Sequence, residues 1–200
     1  MILKLYSKNT SERDLDKIAK VLLDGGVVIY PTDGVYAFGC SVDSAKGVDK
    51  LKQLCGKETS DLSLVFDGIS SISDYCRIDN ATFKTLKRNL PGAVTFILKA
   101  SSRIPSRVIA KRKTIGARIP GNPITQAIVA ALPSPLLTAS LKSESEDKEY
   151  LTDPELIHDI WAERVDIVID GGIGSLSPST VVDISDGEIV VLREGEVEIE

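Results

Sequence analysis

The sequence predicts an α/β fold: one domain, a twisted mixed β-sheet with flanking helices. Three observations carry this expectation. Helical and strand patterns alternate through the first part of the chain, and strands dominate its end. The apolar runs are short and are cut by Gly or Pro, as buried strands are. The 200 residues, 42% hydrophobic and 26% charged, suit one globular unit over residues 1–200 that needs no disulfide or metal to hold it together.

Ile2–Tyr6 reads as a first strand. Ser11 is placed to cap a helix, with Asp14 completing a weak capping box. Leu15, Ile18, Ala19, Leu22 and Leu23 follow at helical spacing, and Gly25-Gly26 stops them. Val27–Tyr30 is a buried strand ended by Pro31. Val48, Leu51 and Leu54 mark a helix, Leu62–Phe66 a strand, and Asn80–Leu90 a basic helix ended by Pro91-Gly92. Strands are expected at Val94–Lys99 and Thr114–Arg118, the latter closed by Pro120. Pro123 opens a helix through Ile124, Ala127, Ile128 and Ala131. Leu136–Thr138 runs inward, and Ser143–Glu149 is a polar, acidic loop. Thr152-Asp153-Pro154-Glu155 starts a helix to about Glu163, with Thr152 as cap and Glu155 three residues on. Val165–Asp170, Val181–Asp183 and Ile189–Arg193 close the chain as strands.

Several function classes drop out. No apolar run reaches the ~20 residues of a membrane span, and Met1–Tyr6 lacks a long signal h-region. A cytoplasmic protein is expected. Three cysteines (Cys40, Cys55, Cys76) are odd in number and far apart, and His158 is the only histidine. That excludes a disulfide framework and a zinc cluster of the usual spacing, so no resident metal is expected. Gly56-Lys57 lacks the rest of a phosphate loop, and Asp170-Gly171-Gly172-Ile173-Gly174 lacks the later acid of a dinucleotide fingerprint.

Charge is segregated. The net charge is −5, yet from Asn80 to Ser143 there is no Asp or Glu, and that stretch carries eleven bases. Such a block attracts anions even on an acidic molecule. Phosphate, nucleotide and nucleic acid are the candidates, with Lys111, Arg112 and Lys113 the densest run.

Four segments place hydroxyl or guanidinium groups at the ends of apolar strands: Tyr30–Tyr36, Thr114–Pro120, Leu136–Ser140 and Ser177–Asp183. Leu192-Arg193-Glu194-Gly195 adds an arginine. These groups suit carboxylate and phosphate oxygens. In this order the segments resemble the YrdC-like family of L-threonylcarbamoyladenylate synthases. The resemblance rests on Tyr-Pro-Thr-Asp and Val-Tyr at Tyr30–Tyr36, and on Pro91-Gly92-Ala93-Val94-Thr95-Phe96-Ile97-Leu98. It continues in Arg118-Ile119-Pro120, Asp170-Gly171-Gly172, Ser179–Asp183 and Leu192–Gly195. Ala37, Lys113-Thr114-Ile115-Gly116 and Ser140-Leu141 look more like the YciO-like branch.

The resemblance implies a YrdC/RibB-like fold and a reaction. ATP, bicarbonate and L-threonine or a related small amino acid give threonylcarbamoyl-AMP and pyrophosphate, with Mg2+ accompanying ATP, for adenosine modification in tRNA. It places Thr32, Arg118, Thr138 and Ser179 on the threonine part, with Arg118 on the carboxylate. Lys57, Thr114, Ser140 and Arg193 fall to ATP. Aligning reactants and neutralising phosphate charge suffice for such chemistry, and no side-chain nucleophile is needed. Three departures point to weakened or redirected turnover. The Lys-x-Arg clamp reads Cys55-Gly56-Lys57, with Lys52 a candidate substitute. The family histidine falls on Val65 or Phe66, and Ser-Ala-Asn reads Ser140-Leu141-Lys142. Two other functions compete with the synthase: a protein binding tRNA or ribosomal RNA through the basic segment 80–143, and a small-molecule-binding module without turnover. The expected site is an acid-depleted hollow in which Arg118, Ser140 and Arg193 face one another.

Overall fold

The computed structural model describes residues 1–6, 10–56, 62–109, 113–142 and 148–200. Lys57, Lys111 and Arg112 lie outside the described residues. In chain order the elements are β1 (Ile2–Lys4), α1 (Glu12–Leu23), β2 (Val28–Tyr30), β3 (Ala37–Ser41), α2 (Ala45–Cys55) and β4 (Ser63–Val65). Then come α3 (Ile69–Tyr75), β5 (Cys76–Arg77), α4 (Asn80–Asn89), β6 (Val94–Ala100), β7 (Thr114–Arg118), α5 (Pro123–Ala130) and β8 (Leu136–Ser140). A 3₁₀ turn at Glu149–Leu151, α6 (Pro154–Trp161), β9 (Ile167–Asp170), β10 (Thr180–Asp183) and β11 (Val190–Arg193) complete the chain.

One mixed sheet runs through all of it in the order β1-β9-β2-β3-β8-β4-β7-β6-β10-β11, with β5 against β6. Pairs β1/β9, β2/β9, β4/β7 and β6/β10 are parallel. Pairs β2/β3, β3/β8, β4/β8, β6/β7, β5/β6 and β10/β11 are antiparallel. The α/β class, mixed sheet and flanking helices match the expectation.

Alternate residues along each strand serve different faces. On the back face, Phe38, Cys40, Leu64, Phe96 and Leu137 pack against Val48 and Leu51 of α2, Ile72 of α3, Leu86 of α4 and Ile157 of α6. On the front face, Val28, Tyr30, Val65, Leu136 and Ile167 meet Ile18 and Leu22 of α1 and Ile124 and Ile128 of α5. Four helices thus lie behind the sheet and two in front. The two in front cover only the half nearer β1.

Some local expectations change. Ser11 stands at the N-cap of α1 without a side-chain cap bond, and its carbonyl accepts from Asp14 N and Leu15 N. Asp153, not Thr152, caps α6 by accepting from Glu155 N and Leu156 N, while the Thr152 hydroxyl donates back to Glu149 O. Strands β3 and β5 and helix α3 have no counterpart in the sequence reading. No helix among the described residues is long and apolar enough to cross a membrane.

Candidate functional site: a polar half-face of the sheet

Directly opposite residues of paired strands share a face, so the register alone assembles the front of the uncovered half. Thr138 (β8), Ser63 (β4), Gly116 (β7) and Ile97 (β6) form one row. Leu136, Val65 and Arg118 form the next row. One step beyond the Phe96–Ala117 pair, Arg118 comes opposite Thr95, which pairs in turn with Val181 and that with Arg193. On the other side of the Thr138 row stand Ser140, paired with Ala37, and Thr114, paired with Lys99. The strand-borne candidates Thr114, Arg118, Thr138 and Ser140 therefore occupy one face. Small residues pave it. A Cβ at Gly116 would collide with the Ser63 hydroxyl and come within 3.0 Å of Thr95 Cγ2.

Arg118 is the electrostatic feature of this face. It is 7% exposed, and its contact among the described residues is an ion pair, Nη2 to Asp33 Oδ2, at 3.9 Å. That is too long for a hydrogen bond. Among the described residues the guanidinium makes no hydrogen bond, and neither do the hydroxyls of Ser63 and Thr95. Thr95 is likewise 7% exposed. None of these three side chains has a polar atom that is both sealed from solvent and unpaired, so each keeps some access to solvent. A buried guanidinium with its donors unfilled is a receptor for a planar anion.

The turn after β2 brings Asp33 here. The Thr32 hydroxyl donates to Val35 O at 2.7 Å and accepts from Gly34 N at 3.0 Å. Asn122 caps α5, accepting from Ile124 N and Thr125 N, and its amide nitrogen reaches Thr32 O. Thr125 Oγ1 donates to Pro31 O, and Gly121 N donates to Asp33 Oδ2 at 3.0 Å. Thr32 thus builds the turn, with one acceptor lone pair left. The face was expected to be acid-depleted, but the turn delivers Asp33 beside Arg118.

Thr138 is also committed. Its hydroxyl donates to Phe38 O at 2.9 Å, so the 2.6 Å contact with Tyr30 is donated by the phenol. The Tyr30 ring lies over Gly39, where a Cβ would sit 2.9 Å from Cε1. Burial pushes the Tyr30 phenol up to about 12, opposed by the nearby Arg118 charge.

Arg193 turns back to Ser179, donating from Nε to the carbonyl and from Nη2 to the hydroxyl, both at 2.9 Å. These two candidates meet each other, and Arg193 shares the row of Arg118, three strands away. They do not meet Ser140, which lies at the exposed end of β8, four residues along the strand from the Arg118 row, or about 13 Å. Lys142 follows at that end. Its charge opposes the burial that lifts the Cys55 thiol to about 11, which puts it near the end of α2. Lys52 donates to Arg107 O and ties α2 to the loop after β6, so the suggested substitute serves a structural contact. Of the two positions for the family histidine, Val65 faces the site beside Arg118, and Phe66 belongs to the back core.

Sequence reasoning missed Tyr30, Asp33, Ser63 and Thr95 as site residues. The first two stand inside the quoted Tyr-Pro-Thr-Asp string, and Thr95 is the one polar residue amid Val94–Leu98. No local signal marks Ser63. A hollow of about 520 Å³ beside Arg77, Thr82 and Ser185 lies elsewhere and is lined by none of the candidates.

A family model described as telomere recombination (Sua5/YciO/YrdC) matches residues 20–195. The chain is 37% identical over 195 residues to the uncharacterized protein YciO of Escherichia coli K12, covering 96% of this chain and 93% of that protein. The crystal structure of E. coli YciO superposes with a TM-score of 0.91 at 36% identity, over 99% of this chain and 97% of that one. P. abyssi Sua5 complexed with L-threonine shares the fold, with a TM-score of 0.87 at 21% identity, over 98% of this chain and 57% of that one. A Vibrio vulnificus threonylcarbamoyl-AMP synthase is 26% identical over 189 residues, covering 91% and 98%. The register that gathers Arg118, Thr138 and their neighbours is thus set in a known fold, and the chain belongs to the Sua5/YciO/YrdC family.

Proposed function

We propose that the protein is a carbamoyl-adenylate synthase-like enzyme acting on ATP, bicarbonate and L-threonine or a related small amino acid. Its turnover is weak or redirected, and its reaction is linked to tRNA threonylcarbamoyladenosine modification. The observation that carries this reading is Arg118, a buried guanidinium with no hydrogen bond among the described residues. It is shaped for one carboxylate.

In this reading the amino-acid carboxylate sits on Arg118, next to Ser179 and the turn at Thr32. The triphosphate lies toward Ser140, Thr114 and Lys142, and Arg193 holds the nucleotide from the Ser179 side. The separation of about 13 Å along the strands suits a ligand charged at both ends. The neutral amine attacks the carbon of bicarbonate, whose hydroxyl leaves as water with an amine proton to give the carbamate, and a carbamate oxygen then attacks the α-phosphorus as pyrophosphate leaves. The protein aligns the reactants and neutralises charge. Among the described residues no group of three or more His, Cys, Asp or Glu is arranged to hold a metal, and in this reading Mg2+ comes on the triphosphate. Burial lifts the Cys40 and Cys76 thiols to about 12 and the Cys55 thiol to about 11, which leaves them poor nucleophiles in this reading. Val65 removes the polar contact a histidine would give, which weakens the fit for threonine.

The test incubates the protein with labelled ATP, bicarbonate, Mg2+ and each amino acid in turn, with mass spectrometry of the product. Pyrophosphate release with a carbamoyl-adenylate product is expected from at least one amino acid. Release with none refutes the reading.

A further inference from the structure

We infer that Asp33 reads the α-ammonium group of the ligand held by Arg118, so that the site takes zwitterions and rejects simple carboxylates. The inference rests on the reading of Arg118 as a carboxylate receptor and adds the second charge to it. Asp33 has a side chain only 13% exposed. One oxygen, Oδ2, accepts from Gly121 N and faces Arg118 at 3.9 Å. The other, Oδ1, has no hydrogen bond among the described residues. Gly121 lets the carboxylate close on the backbone, since a Cβ there would stand 3.2 Å from Oδ1. The turn bonds from Thr32, Asn122 and Thr125 hold Asp33 in place before any ligand arrives.

Charge arithmetic selects the ligand. Asp33 and Arg118 together are neutral. A bare carboxylate arriving on Arg118 leaves one uncompensated negative charge in a poorly solvated place, next to another carboxylate. An amino acid brings its own ammonium and leaves the site neutral, with the free Oδ1 available to accept from it. Like charges at such range in a partly buried site are strongly unfavourable.

The experiment measures binding of three probes to the full-length protein by calorimetry or ligand-detected NMR. They are L-threonine, 3-hydroxybutyrate (ammonium replaced by hydrogen) and 1-amino-2-propanol (carboxylate replaced by hydrogen). The wild-type protein is expected to prefer L-threonine over 3-hydroxybutyrate by about tenfold or more. Asp33→Asn keeps an acceptor for Gly121 N and is expected to shrink that ratio to within about threefold, in part by admitting 3-hydroxybutyrate. A purely structural role for Asp33 would weaken all probes together and leave the ratio intact, which overturns the inference. Equal wild-type affinity for L-threonine and 3-hydroxybutyrate also overturns it, and this comparison needs no variant to fold. If 1-amino-2-propanol binds as tightly as L-threonine, or if none of the three binds, the carboxylate reading of Arg118 fails and the inference goes with it.

Discussion

Replacing Arg118 by methionine, with Asp33→Asn alongside so that no unpaired carboxylate remains, separates a ligand-binding arginine from a structural one. Before ligand binds, Arg118 contributes one ion pair at 3.9 Å. At an effective dielectric of 20 that attraction is about 4 kcal/mol. Against it stands the loss of hydration of a guanidinium that is 7% exposed, which costs several kcal/mol. The two nearly cancel, and methionine recovers apolar contacts beside Val65. The unliganded Arg118→Met/Asp33→Asn protein, which leaves no unpaired carboxylate behind, should therefore lie within about 1–2 kcal/mol of wild type, a melting shift of roughly 2–8 °C for a chain of this size. Binding behaves differently. A bidentate carboxylate contact makes two charge-assisted hydrogen bonds of about 1.5–3 kcal/mol each, so amino-acid affinity should fall a hundredfold or more. Thermal melts and calorimetry on the same preparation decide it. A variant that melts far below wild type, or one that binds as wild type does, refutes the reasoning.

Thr138→Val should cost about 1–3 kcal/mol, because it strands the Tyr30 hydroxyl and Phe38 O in the interior; denaturant unfolding measures it. Alkaline pH should destabilise the fold. Tyr30 and Tyr36 are raised to about 12 by burial, so above pH ~10 the unfolded chain releases protons that the folded one keeps. Stability from these groups is present below their ordinary value and is lost as pH rises through about 12, visible as a falling melting temperature. A salt titration tests the competing RNA-binding function: binding of tRNA or ribosomal RNA through segment 80–143 should weaken steeply with salt and on changing Lys111, Arg112 and Lys113 to glutamate. Among the described residues Lys99, Arg103 and Arg118 of that segment are already paired, with Asp186, Asp74 and Asp33, so they should add little to the salt slope.

The elements legible in the sequence were those with a period and a stop. Helix α5 has Pro123 at its start and Ile124 and Ile128 on one side, and strand β7 ends against Pro120. Strand β3, Ala-Phe-Gly-Cys-Ser, is buried on both faces and built partly of small residues, so it shows no alternation to read. Helix α3 is seven residues long with Gly68 before it and no side-chain cap. Arg118 was legible because a basic residue closes an apolar strand. Ser63 and Thr95 were not, because what matters about them is which residues stand opposite. That is fixed by pairing between β4, β7 and β6, positions distant in the chain. Asp33 was hidden for a related reason: its string suggested a turn, and only the packing of that turn on α5 shows where the carboxylate arrives.

Helices α1 and α5 reach Val65 at the end of β4 and stop short of β7 and β6, leaving that part of the sheet without a helix on that side. A bound molecule would itself become the missing layer, resting on strands whose backbone amides are among the last to open. Occupancy should then be felt as slowed amide exchange in the deepest strands, rather than in a flap at the rim.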